Sequence, residues 1–153
     1  MPRRVRAGEW RELRDIRLRL LADVPWRGRD LAIERALNEE DWKERARVRA
    51  TAPDHAAFVI EDAGDWVGIV ELTDQIEGLW VDPAFRRRGL AVSLLDAAAE
   101  RATELGRTDV ISWVREQNRP AIAAHARAGF SADGQVQRWP DRADWQIRMV
   151  RPL

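Results

Sequence analysis

The sequence predicts a single mixed α/β domain, a largely antiparallel sheet flanked by helices, and three observations predict it. Residues 57–81 carry three short apolar runs separated by turn residues, the pattern of a β-meander. Residues 9–21 and 89–105 each place apolar side chains at helical spacing. The length of 153 residues suits one core, spanning 1–153, that buries most of the surface its unfolded chain would expose.

The elements follow in order. Arg4-Val5-Arg6 supplies a short first strand. In the helix over residues 9–21, Trp10, Leu13, Ile16, Leu20 and Leu21 fall near one face, and Pro25 stops it. Residues 31–37 and 39–50 form a second helical region bent near Asn38, which can cap its later half. The meander strands are residues 57–60, 66–72 and 75–81, joined by Asp62-Ala63-Gly64-Asp65 and by Thr73-Asp74. In the helix over 89–105, Leu90, Leu94, Leu95, Ala98, Ala102 and Leu105 line one side, and Gly106 ends it. Residues 110–114 form a fifth strand and 119–128 a short helix stopped by Gly129, while 134–138 and 145–150 close the fold as a hairpin.

Composition excludes several classes of function. The 26 basic and 26 acidic residues cancel, so no global field favours DNA, RNA or an anionic membrane, and any anion site must be local. Cysteine is absent, which rules out a disulfide framework, a thiolate metal site and an acyl-cysteine intermediate. His55 and His125 lie far apart without carboxylates at ligand spacing, so no metal is expected. No apolar run is long enough to span a bilayer, and Met1-Pro2-Arg3-Arg4 lacks the apolar stretch of a secretory leader, so the expected location is cytoplasmic.

The most informative segment runs from Leu79 through Trp80, Val81 and the basic turn Arg86-Arg87-Arg88-Gly89 into a helix beginning Leu90-Ala91. Backbone N–H groups at a helix start lack intrahelical partners, and the dipole adds roughly half a positive charge there, so a phosphate can take up those donors. The spacing Arg86-x-x-Gly89-x-Ala91 resembles the Arg/Gln-x-x-Gly-x-Gly/Ala signature of the GNAT superfamily of acyl-CoA-dependent N-acyltransferases. Asn118, the helix behind it and Gly129-Phe130 are similar to that family's second hallmark. The resemblance covers the chain from about Phe58 onward closely and the first 57 residues loosely.

The resemblance implies a GNAT-like sheet splayed between strands four and five, and acetyl-CoA as the acyl-donor cosubstrate. It implies that backbone N–H groups of Arg87, Arg88, Gly89, Leu90 and Ala91 hold the pyrophosphate while the Arg86 side chain supports the turn. Arg87 and Arg88 also read as plain solvated charge. A bulge near Trp80-Val81 is implied, its N–H groups facing the pantetheine and the acetyl carbonyl, with Leu79 beside them. Asn118 is implied at the cofactor edge, its local reading being a helix cap.

Direct transfer to an amine further needs a proton acceptor. Alternation puts Gln75, Glu77 and Leu79 on one face, and the resemblance places this strand at the acceptor cleft. Glu77 is therefore the candidate base, directly or through water, with Glu71 second; a solvent-facing or salt-bridged glutamate is the alternative. Family members commonly carry Tyr-x-x-x-Gly-Phe, whose hydroxyl serves the leaving sulfur, whereas this chain has no tyrosine and places His125 there. His125 is thus a candidate donor to the sulfur or a structural residue. Trp26, Trp42 and Trp113 are candidates for the acceptor cleft. The expected function is acetyl transfer from acetyl-CoA to a primary amine of a small molecule or protein, by direct attack in a ternary complex. The alternative is an acyl-CoA-binding regulatory module with weak or no catalysis. No nucleic-acid or membrane partner is expected, and a homodimer is left open.

Overall fold

The computed structural model describes residues 1–24, 28–138 and 144–153, so the expectations for Pro25 and Trp26 lie outside the described residues. The elements are β1 (Arg3–Arg4), α1 (Trp10–Asp23), α2 (Gly28–Arg35), α3 (Glu39–Thr51), β2 (Ala56–Asp62), β3 (Asp65–Leu72), β4 (Ile76–Val81), a short 3-10 turn (Pro83–Phe85), α4 (Leu90–Glu104), β5 (Asp109–Arg115), α5 (Arg119–Arg127), β6 (Ser131–Arg138) and β7 (Trp145–Pro152). Asn38 does cap α3: its side chain accepts from Asp41 N at 2.9 Å while the Asp41 carboxylate accepts from Asn38 N at 3.0 Å, a reciprocal capping box. The first strand lies one residue earlier than expected, because Arg3 and Arg4 pair with Val59 and Phe58. The Arg4 guanidinium then ties β1 to the carbonyls of Arg49, Ala52 and His55 at the end of α3.

A seven-stranded sheet runs in the order β1-β2-β3-β4-β5-β7-β6 and is antiparallel except between β4 and β5. Those two are parallel and share a single register pair, Ile76 with Ser112, so the sheet parts beyond it. The core lies on both faces. Val70, Leu72, Leu94, Leu95, Ala98 and Phe130 pack on the α4 face. Leu13, Ile16, Trp42, Ile69 and Trp80 pack on the α1 and α3 face. The neighbours Ile69 and Val70 thus serve opposite cores, as the pleat requires.

A bulge interrupts β4. Ile69 pairs with Trp80 and Glu71 with Glu77, so Gly78 and Leu79 together stand opposite Val70 alone. Gly78 has φ +59, and a Cβ there would meet Arg17 Nη1 at 2.8 Å and Glu71 Oε2 at 2.9 Å; both the backbone and the space demand glycine. The bulge corrects the alternation expected from sequence. Glu77, opposite Glu71, lies on the α1 and α3 face, whereas Leu79 packs with the α4 core. It also places the irregularity at Gly78-Leu79, just before Trp80-Val81.

Candidate active site

Beyond the Ile76–Ser112 pair, β4 and β5 enclose a wedge occupied by a cavity of about 420 Å³. One wall is Glu77, Gly78, Leu79 and Trp80, and the other is Ser112 through Arg115, with Asn118 and His125 of α5 behind. Arg17 and Arg45 reach it from the helical side. The wedge therefore gathers Glu77, Leu79, Trp80, Asn118, His125 and Trp113. Val81 and the turn from Arg86 to Ala91 are not part of its wall and sit where β4 runs on into α4.

The turn is held from behind. Asp82 accepts from Ala84 N at 2.9 Å and pairs with Arg19, opening the 3-10 turn. The Arg86 guanidinium donates to Val81 O at 2.9 Å and to Asp23 Oδ2 at 2.6 Å, and Trp80 Nε1 donates to the same carboxylate oxygen at 3.0 Å. The Trp80 indole, together with Arg86 and against some burial, holds the Asp23 carboxyl below its ordinary range. Arg86 thus joins β4, the turn and the end of α1.

The front of the turn is open. Arg87 and Gly89 have φ of +64 and +77, left-handed conformations of the kind from which anion-binding backbone nests are built. Gly89 is the N-cap of α4 and carries no side-chain cap; nothing lies within 4 Å of where its Cβ would be. Ser93 N is bonded to Gly89 O at 3.1 Å, so the earlier donors of Leu90, Ala91 and Val92 are those a helix leaves without an intrahelical acceptor. Free donors, a helix dipole and clear space fit a phosphate group. Arg87 and Arg88 are exposed, and the Arg88 guanidinium lies 5.1 Å from the centroid of the Phe85 ring.

The two carboxylates proposed for proton removal differ sharply. Glu71 is 1 % exposed and held by Arg17 at 3.0 Å and Arg49 at 2.9 Å, with Arg45 at 3.8 Å. Burial pushes its carboxyl up, but the three arginines outweigh it and bring the pKa down to about 2. A carboxylate so held is too weak a base to accept a proton near neutral pH, which removes Glu71 as second choice. Glu77 is exposed and lines the cavity, the solvent-facing placement that its sequence context left open.

His125 is 2 % exposed, with Nδ1 at 2.7 Å from Ala121 O and Nε2 at 2.9 Å from Ser112 Oγ. A carbonyl only accepts, so Nδ1 carries the hydrogen; burial lowers the pKa and keeps the ring neutral, so Nε2 accepts from the serine hydroxyl. Both ring nitrogens are engaged, and neither offers a spare donor to the wedge. Phe130 packs edge-on against the ring at 5.2 Å. The Asn118 side chain accepts from Ala121 N at 3.2 Å, capping α5 while it lines the cavity. Trp113 lines the wedge, whereas Trp42 is 1 % exposed in the α1 and α3 core, where the Arg45 guanidinium covers its ring at 5.4 Å, and does not face the acceptor cleft as expected.

Sequence reasoning passed over Ser112 and Arg17. Ser112 shares a face of β5 with Val110 and Val114, all buried, and is the polar residue of that face between them. Arg17 stands on the buried face of α1 between Ile16 and Leu20. A polar residue on an apolar face was the available signal in both cases.

An α/β sheet parted between two parallel strands, with an anion turn at its open end, is the architecture of the acyltransferase class that the two sequence hallmarks suggest. A family model described as acetyltransferase (GNAT) matches residues 12–130. The chain belongs to that family. It is 35% identical over 91 residues to an uncharacterized N-acetyltransferase of Methanocaldococcus jannaschii, a match covering 58% of this chain and 37% of that protein. The matched segment therefore spans well under half of that relative. Among solved structures, the GNAT-family acetyltransferase of Streptococcus pneumoniae superposes with a TM-score of 0.83 at 17% identity, covering 100% of this chain and 99% of the other. The yncA protein of Salmonella typhimurium, solved with its cofactor acetyl-CoA, gives 0.79 at 18% identity, covering 100% and 93%. At those identities the likeness is one of fold. Among the described residues, no group of three or more His, Asp or Glu side chains could hold a metal ion, and no helix is long and apolar enough to cross a membrane.

Proposed function

We propose that this protein is an N-acetyltransferase that moves an acetyl group from acetyl-CoA to a primary amine by direct attack in a ternary complex. The observation that carries the reading is that β4 lines the wedge with Glu77 through Trp80 and then runs on through the turn to the open, uncapped start of α4 at Gly89. The N–H groups of Arg87 through Ala91 would hold the pyrophosphate, and Leu79, Trp80, Val81 and Asn118 would border the pantetheine. Bound there, acetyl-CoA supplies an electrophilic thioester carbonyl. The chain's own part is to fix that carbonyl against β4, align the amine and remove its proton. Glu77 is the base in this reading, because it is the β4 carboxylate that faces the cavity without being locked in an ion cluster. The acceptor is a small-molecule or protein amine, and the family resemblance leaves its identity open.

Glu77→Gln is expected to lower kcat about a hundredfold, the usual size of a general-base contribution, with acetyl-CoA affinity unchanged. Steady-state kinetics over a full pH range checks it, and unchanged kcat would move the proton to solvent. A regulatory acyl-CoA-binding module is the second reading, favoured by the engagement of both His125 nitrogens. Thiol release separates the two. The chain has no cysteine, so a thiol-reactive dye reports coenzyme A alone. A panel of amines, including polyamines, aminoglycosides and peptide N-termini, should yield acceptor-dependent thiol; binding without such release would establish the module.

A further inference from the structure

The helical side of the wedge holds more positive charge than its ion pairs balance. Arg17, Arg45 and Arg49 meet Glu34 and Glu71 there, three guanidinium groups against two carboxylates. Arg17 gives Nε, Nη1 and Nη2 to those glutamates and is 5 % exposed. Arg49 gives Nε to Glu71 and is not part of the cavity wall. Arg45 differs from both. Its Nη1 donates to Glu34 at 3.1 Å, but Nη2 stands 3.8 Å from the Glu71 carboxylate, beyond hydrogen-bond reach. The guanidinium stacks over Trp42 at 5.4 Å, its side chain is 25 % exposed, and it lines the cavity. Stacking fixes the plane of the fork and leaves donors on its edge, the geometry that suits a carboxylate.

Glu71 is the register partner of Glu77, and directly opposed residues of an antiparallel pair share a face. The carboxylate that Arg45 approaches therefore adjoins Glu77 on one wall of the cavity. An ammonium group arriving at Glu77 cancels that charge, and the excess of the arginine cluster then calls for an anion on the same molecule. We propose that the acceptor amine also bears a carboxylate, as a compact amino acid does, and that Arg45 is the specificity-determining residue that takes this carboxylate. The inference deepens the N-acetyltransferase reading and rests on it. The other ionisable groups lining the cavity are Arg17, Asp30, Glu71, Glu77 and Arg115, of which Arg115 is paired with Asp144. A polyamine or an aminoglycoside would bring further positive charge against Arg17 and Arg45, a like-charge juxtaposition that disfavours it. Leu20, Val24 and Trp113 complete the wall and offer apolar contact to the remainder of a small acceptor.

The test offers α-, β- and γ-amino acids, each beside the amine that lacks its carboxylate, together with acetyl-CoA, and follows thiol release. The fastest acceptor is expected to be an amino carboxylate, ahead of its decarboxylated counterpart by about tenfold or more in kcat/KM, the size of one charge-assisted contact. In folded Arg45→Gln that ratio should fall to about one while the KM for acetyl-CoA stays unchanged. Each amine has the same basicity in both proteins, so the change in ratio reports the carboxylate contact alone. A fastest acceptor without a carboxylate, or an equal ratio in native protein and Arg45→Gln, would overturn the proposal. The first of these is read on native protein and decides even where the variant does not fold. Calorimetric titration of the same panel into the complex with coenzyme A distinguishes the two readings. Binding of an amino carboxylate that weakens in Arg45→Gln, without thiol release from any amine, would overturn acetyl transfer and support the carboxylate contact. Thiol release confined to amines without a carboxylate would do the reverse, and neither binding nor release would overturn both.

Discussion

Gly89→Asp is expected to weaken coenzyme A binding about a hundredfold or more while leaving the protein folded. The position caps α4 without a side chain, and the space where a Cβ would stand is empty. An aspartate there puts a negative charge into the phosphate position and can itself accept from the N–H groups of the first turn. Losing two charge-assisted hydrogen bonds accounts for a hundredfold by itself, since each is worth about 1.5 kcal/mol or more. The fold bears a smaller cost, about 1–2 kcal/mol, because φ at this residue is +77. Gly89→Ala carries the same backbone cost without the charge, so it should lose far less affinity. Calorimetric titration of coenzyme A into both variants, with circular dichroism as the control for folding, separates charge from strain.

The largest effect on stability is expected at Glu71. Glu71→Gln should destabilise the protein by about 3–5 kcal/mol, because it leaves buried arginines facing an amide in place of the carboxylate that pairs them. Arg17 is 5 % exposed and shared between Glu71 and Glu34, so little of it reaches water. The pH dependence follows from linkage. The folded pKa of Glu71, about 2, lies below the ordinary 4.5, so the unfolded chain binds the proton more readily. Its contribution is fully present above pH 4.5 and is lost as the pH falls toward 2. Urea unfolding across that window should show the native protein losing stability steeply and Glu71→Gln losing less. Equal slopes would mean that the cluster does not favour the ionised carboxylate.

Much of this molecule was legible in the sequence because its helices and meander alternate apolar and polar residues in the ordinary way. The phosphate turn was legible for a different reason. It depends on main-chain groups, and a glycine following arginines at a helix start announces them. The acceptor side was harder, because its geometry depends on contacts between segments distant in sequence. Glu71 meets Arg17 from α1 and Arg49 from α3, and no local pattern on β3 reveals such partners. The bulge at Gly78 shifted the face of Leu79 relative to Glu77, which strict alternation could not foresee. His125 stood out by its place before Gly129-Phe130, but its hydrogen-bond state required Ser112 and Ala121 to be set beside it.

Calorimetric titration of acetyl-CoA shows whether the α4 turn and the wedge between β4 and β5 form one acyl-CoA site. Saturable one-to-one binding with a dissociation constant in the micromolar range is expected, and it should be lost in folded Gly89→Asp. Absence of saturable binding to the native protein, or equal affinity in both proteins, would contradict such a site.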